Sequence, residues 1–107
     1  RIGRIALLSG TVNLDNPNNG ESFLAPLNQP LTSGDVIITG PGARAEIQIG
    51  AMTLRADANT RIAFEQIDDD RLQLRLDAGS FALVVGQNLA NGIGHLHREL
   101  HLQLPAA

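Results

Sequence analysis

Apolar residues recur at every second position along most of this 107-residue chain, and that period limits what it can fold into. In Ala45-Glu46-Ile47-Gln48-Ile49 the odd positions are apolar, and in Arg71-Leu72-Gln73-Leu74-Arg75-Leu76 the even ones are. Alternate side chains of a strand point to opposite faces, so such a segment places one face in a core and the other in water. A helix needs a period near 3.6, and no segment offers three turns of it. Further strand candidates are Ile5 to Leu14, Val36 to Thr39, Met52 to Ala56, Arg61 to Ile67, Phe81 to Val85 and Leu96 to Leu104.

Turn-forming residues fall between these runs, as they must if each run is a separate strand. Asp15 to Gly20 (Asp-Asn-Pro-Asn-Asn-Gly) is expected to be an exposed loop, and Asn88 to Gly94 a second, flexible one. Gly40-Pro41-Gly42, Gly50-Ala51, Asp57-Ala58-Asn59, Asp68-Asp69-Asp70 and Asp77-Ala78-Gly79 read as tight connections. From Ala43 onward strands follow at roughly 8–10 residue spacing, the rhythm of a sandwich, a barrel or a short coil of stacked turns. The expected fold is an all-β, compact, antiparallel or solenoid-like sandwich of about 7–10 short strands with little or no helix. Ile47, Ile49, Leu54, Ile62, Phe64, Leu72, Leu74, Leu76, Phe81 and Leu83 should form one core, and the whole of 1–107 one domain.

Composition removes several functions. The only aromatic residues are Phe23, Phe64 and Phe81, and the cations are eight scattered arginines against eleven acids. Single-stranded nucleic acid is bound by stacking on aromatics, and duplexes by clustered cations, so nucleic acid is not an expected partner. The lack of Trp and Tyr also counts against a reading as a glycan or envelope-polymer binder. Without cysteine there is no thiolate nucleophile, no disulfide and no thiolate zinc site. No apolar run approaches the ~20 residues of a spanning helix, so a membrane is reached only through segments outside these residues. The chain begins at Arg1, and we expect it to be an excised piece of a longer protein.

Chemistry-bearing clusters are few. His95, His97, Glu99 and His101 share one parity of a strand, and alternate histidines on a strand can reach a common metal ion. The same parity follows from plain alternation with Leu96, Leu100, Leu102 and Leu104 facing the core, so these residues are metal-ligand candidates only. Asp68-Asp69-Asp70 lacks the spaced oxygen pattern of a calcium loop. No serine sits in a nucleophile elbow, and Gly40-Pro41-Gly42-Ala43-Arg44 lacks the lysine and spacing of a phosphate loop. No enzyme activity and no cofactor is expected.

Several phrases stand in a fixed order: Gly3-Arg4-Ile5, Ser9-Gly10-Thr11-Val12, Asn28-Gln29-Pro30-Leu31, Gly34-Asp35-Val36-Ile37, Thr39-Gly40, Ala43-Arg44-Ala45-Glu46-Ile47, Asn59-Thr60-Arg61-Ile62 and Leu76-Asp77-Ala78-Gly79-Ser80. This succession, from about Gly3 to Val85, resembles the FecR-type domain of bacterial envelope proteins. The motif positions are Leu31, Gly34, Asp35, Thr39, Gly40, Arg44 and Glu46. Each has a local reason: Gly34 permits a positive-φ turn, Asp35 can cap it, and Thr39-Gly40 closes the strand begun at Val36. The resemblance implies an extracytoplasmic, periplasmic domain that acts in signalling or envelope organisation by contacting other proteins, without chemistry of its own. For a β domain whose ionisable residues lie at turns and on the polar parity, contact with a protein partner or self-association is expected through an exposed sheet edge. The strand at Arg98 to Leu104 is the expected edge, and the Asp15 to Gly20 loop the alternative contact.

Overall fold

The computed structural model describes the backbone of residues 3–68, 71–85, 88–94 and 98–103, and the side chains of residues 3–68 and 71–84. Eleven strands and no helix lie within them: β1 (Gly3–Ser9), β2 (Val12–Asn16), β3 (Glu21–Leu24), β4 (Pro30–Leu31), β5 (Val36–Thr39), β6 (Arg44–Ile49), β7 (Met52–Ala56), β8 (Arg61–Ile67), β9 (Arg71–Val85), β10 (Asn88–Gly94) and β11 (Arg98–Gln103). All pair antiparallel. The expected all-β class is what the chain adopts.

The strands form one curled sheet in which the 15-residue β9 belongs to two layers. Its first half pairs with β8 and β11, and its second half with β7 and β10. One layer therefore runs β4-β1-β6-β7-β9-β10 and the other β3-β2-β5-β8-β9-β11. Position by position, the two layers are built from strands adjacent in sequence: β4 with β3, β1 with β2, β6 with β5, β7 with β8, and the two halves of β9 with each other. The chain thus turns the same corner repeatedly, which is the solenoid-like element of the expected sandwich.

Those corners stack. Gly40 donates its N–H to Thr11 O at 2.9 Å, Asn59 donates to Gly40 O at 3.1 Å, and Asp57 donates to Ser80 O at 3.1 Å. Thr39 and Thr60 are buried polar residues of this line. The Thr39 hydroxyl accepts Thr60 N–H (2.9 Å) and donates to Asp57 O (2.5 Å), while the Thr60 hydroxyl accepts Ser80 N–H at 3.1 Å. Hydroxyls are used here because bent backbone leaves donors and acceptors that no ladder satisfies, and a buried one left unpaired is costly.

One core fills the space between the layers. All ten residues expected in it are buried and contiguous, joined by Ile5, Val12, Leu14, Leu31 and Ile37 among others. The inward parity along β9 is even at Leu72, Leu74 and Leu76 but odd at Phe81 and Leu83. The change falls at the bend, where Gly79 has φ +81°.

Three expectations are corrected. Asp77-Ala78-Gly79 is not a connection between two strands but the bend inside β9, because pairing continues on either side of a single positive-φ residue. Ile5 to Leu14 is two strands, with Gly10 (φ +75°) between them placing β1 and β2 in different layers. Asn88 to Gly94 is not a loop: it is β10, paired from Asn88 opposite Val85 to Gly94 opposite Gly79. Ladder bonds are made by main chain, which Asn and Gly carry as well as any residue, and the second half of β9 offers a free side opposite β7. Strands β3 and β4 lie where no strand was expected.

Candidate functional site

The best-defined polar construction is the turn before β5. Gly34 adopts φ +96°, which lets its N–H reach Phe64 O at 2.8 Å while Phe64 N–H reaches Asp35 O at 2.8 Å. Asp35, only 7% exposed, uses both carboxylate oxygens: one accepts Thr32 N–H at 2.9 Å, the other the Asn16 side-chain amide at 2.7 Å. Ser33 Oγ accepts Ile67 N–H at 3.0 Å. The Gly-Asp pair thus ties the β4–β5 connection to β8 and to the β2–β3 hairpin. Both oxygens of the Asp35 carboxylate are taken up by groups of the chain itself, so Gly34 and Asp35 serve to hold the fold.

The other motif positions divide in the same way. Leu31 is in the core, Thr39 and Gly40 lie in the stacked corners, and Arg44 is exposed. Glu46 faces Arg55 across β6 and β7, 3.7 Å apart. On the outer face of β8 and β9 a second charge network joins Arg75 to Glu65 (3.1 Å) and Asp77 (2.9 Å), with Arg61 3.6 Å from Asp77. Both groups are partly solvated, where ion pairs are worth little individually and serve solubility.

Of the metal-ligand candidates, His95 and His97 lie outside the described residues. Glu99 and His101 are on β11, at the register positions opposite Arg75 and Gln73. Among the described residues no group of three or more His, Asp or Glu side chains is placed to hold a metal ion. Asp68 accepts Arg71 N–H (2.8 Å) and the Gln66 amide (2.6 Å), as in a polar hairpin; Asp69 and Asp70 lie outside the described residues.

The exposed turn at 17–20 and the sheet edges remain as accessible backbone. At one end of the strand order are β10 and β11, each paired only with β9 among the described residues; at the other are β3 and β4. The edges differ in chemistry. Pro30 in β4, with Pro26 just before it, removes backbone donors, a common way of blunting an edge. Strand β3 carries no proline and is exposed throughout, with Phe23 37% and Leu24 68% exposed and Leu27 beyond it 56%. The period-two rule overlooked β3 because it is short and lacks an apolar alternation; Phe23-Leu24 as adjacent apolar residues between two turn clusters was the available signal.

Comparison with known proteins gives no family model, no curated protein and no solved structure that matches this chain.

Proposed function

We propose that this is a non-catalytic, extracytoplasmic interaction or signalling module of the FecR type, which engages a protein partner by adding a strand at its C-terminal edge. The observation that carries the reading is the position of β11. It is the last described strand, it pairs with the first half of β9 from Arg98 opposite Leu76 to Gln103 opposite Arg71, and no other described strand pairs with it. An edge strand presents N–H and C=O groups that a partner's extended segment can satisfy. Supporting it, the described ionisable side chains are spread over turns and outer faces, and the buried carboxylate among them, Asp35, is held by Thr32 N–H and the Asn16 amide; they do not converge in a desolvated cleft as a catalytic set would. The FecR-type part of the reading rests on the ordered succession of sequence phrases that includes Gly34, Asp35 and Thr39.

The test places a photo-crosslinking residue at Leu102 of the full-length protein in its native envelope, with the same residue at Arg44 on the middle of a sheet as control. A crosslink to a defined partner from position 102 and not 44 is expected. Proline is also placed, in the chain that carries the crosslinker at 102, at Leu100 and, separately, at His101, because successive backbone donors of a strand point to opposite sides. The folded variant of the two should lose the crosslink. A crosslink of equal yield from both positions, or one that survives proline in a folded protein, refutes strand addition there.

A further inference from the structure

We infer that β3 of one copy pairs antiparallel with β3 of a second copy, about a two-fold axis through Phe23, giving a weak reversible dimer. This contact is at the opposite end of the sheet from β11 and stands independently of the reading above.

The backbone direction of each β3 residue follows from its neighbours. Ala25 donates to Val12 O at 2.9 Å, so Val12 and Ala25 form a hydrogen-bonded pair; two residues on, Leu14 and Phe23 form the next one. On the far side of β2, Gly40 donates to Thr11 O, which turns Asn13 and Asp15 toward β5 in the same alternation. Ser22 and Leu24 consequently direct their N–H and C=O groups away from β2, into solvent. The free edge thus consists of four groups on two residues.

A second β3 satisfies all four. With the axis at Phe23, Ser22 stands opposite Leu24 of the other copy and Leu24 opposite its Ser22, and both are hydrogen-bonded pairs. Phe23 then meets Phe23 as the closer, non-hydrogen-bonded pair. Phe23 is opposite Leu14, which is 2% exposed, so it lies on the core side of the sheet at its margin. Pairing continues the core row as Leu14, Phe23, Phe23, Leu14 across the axis, and removes from water an aromatic ring that a single copy leaves partly exposed. The charges allow it. Glu21, the only ionisable residue of β3, falls opposite Ala25, and the two Glu21 residues are about 13 Å apart along the strand, beyond the Debye length at physiological salt. Strand β3 also lacks the proline, lysine or bulge with which an edge is ordinarily closed to its own kind.

A four-residue strand buries less than the ~1,000 Å² of a stable interface, so the dissociation constant should be on the order of 10⁻⁴ M. Sedimentation equilibrium should show a monomer–dimer equilibrium in that range. Leu24→Pro removes only an outward donor and should weaken it at least tenfold while circular dichroism remains that of the folded chain. The chain has no cysteine, so Phe23→Cys introduces a single thiol. Its pair about the axis falls within the ~4.4–6.8 Å Cα separation of a disulfide. Ser22→Cys places its pair about 8 Å apart, too far to bridge. Oxidation should therefore link Phe23→Cys into dimers and leave Ser22→Cys, also exposed, monomeric. A chain monomeric at millimolar concentration, equal crosslinking of the two variants, or open-ended oligomers that persist in Leu24→Pro and vanish on proline insertion in β11 would overturn the β3 pairing. The last of these would still leave the C-terminal edge as a contact.

Discussion

Gly79 passes so close to Thr60 that a methyl group at position 79 would lie 2.6 Å from Thr60 Cα and 2.7 Å from Asn59 O. Both obstacles are backbone, and Gly79 also has φ +81°, so Gly79→Ala carries strain and collision together. It should lower stability by about 2–4 kcal/mol in urea denaturation. Gly42 has a similar φ of +71° but open space around it, and Gly42→Ala should cost only about 1 kcal/mol. Equal losses at the two sites would show that the β9 bend is not held against the Asp57–Thr60 corner.

Phe64 and Leu74 stand opposite each other in β8 and β9, and both are buried. Truncation leaves a cavity that neighbouring strands cannot close, because the same ladder fixes them on both sides. Phe64→Ala should cost about 3–5 kcal/mol and Leu74→Ala about 2–5 kcal/mol. Together they should cost less than the sum, since the residues are in contact and share one cavity. Chemical denaturation of the two single variants and the double variant checks this.

Where the period of two ran unbroken, as in Ala45–Ile49 and Leu72–Leu76, strand and inward face were both legible in the sequence, because burial of one face specifies them. It gave no warning of the corner at Gly79. The shift from even to odd apolar positions between Leu76 and Phe81 was visible, but a turn between two strands and a bend within one produce the same shift. Strand β10 was not legible, because an Asn- and Gly-rich strand is defined by what it pairs with and not by its side chains. The roles of Gly34 and Asp35 could be read locally. That Asp35 reaches Asn16, nineteen residues away, could not, since nothing in the intervening sequence sets the position of the β2–β3 hairpin.

Thr39→Val should be among the more damaging near-isosteric changes in the chain. The hydroxyl accepts Thr60 N–H at 2.9 Å in a buried corner, and valine of the same shape leaves that donor unpaired. A cost of about 1–3 kcal/mol is expected. Thr39→Ser retains the acceptor and loses one methyl, so it should cost about 1 kcal/mol or less. Amide hydrogen exchange at Thr60 would separate the two, accelerating in the valine variant and remaining slow in the serine one.

Asp35 and Asn16 provide the most exacting check on the turn. Both carboxylate oxygens of Asp35 accept, one from Thr32 N–H and one from the Asn16 amide, and Asn16 Oδ1 in turn accepts Asn18 N–H at 3.0 Å. Asparagine at 35 has a single acceptor oxygen, so if it serves Thr32 its NH₂ group faces the NH₂ of Asn16. Flipping Asn16 does not relieve this, because it sets that NH₂ against Asn18 N–H. Asp35→Asn should therefore cost nearly as much as Asp35→Ala, about 1–3 kcal/mol, in spite of its shape. Asn16→Asp in the Asp35→Asn background reverses the polarity of the pair: the new amide at 35 donates to the carboxylate at 16, which keeps an oxygen for Asn18, and Thr32 keeps its acceptor. The double variant should recover most of the loss, while Asn16→Asp alone places two carboxylates against each other and destabilises. A double-mutant cycle in urea should give a coupling energy of about 1–3 kcal/mol in favour of the swapped pair. Simple additivity of the two changes would mean that this hydrogen bond does not hold the β2–β3 hairpin to the turn before β5.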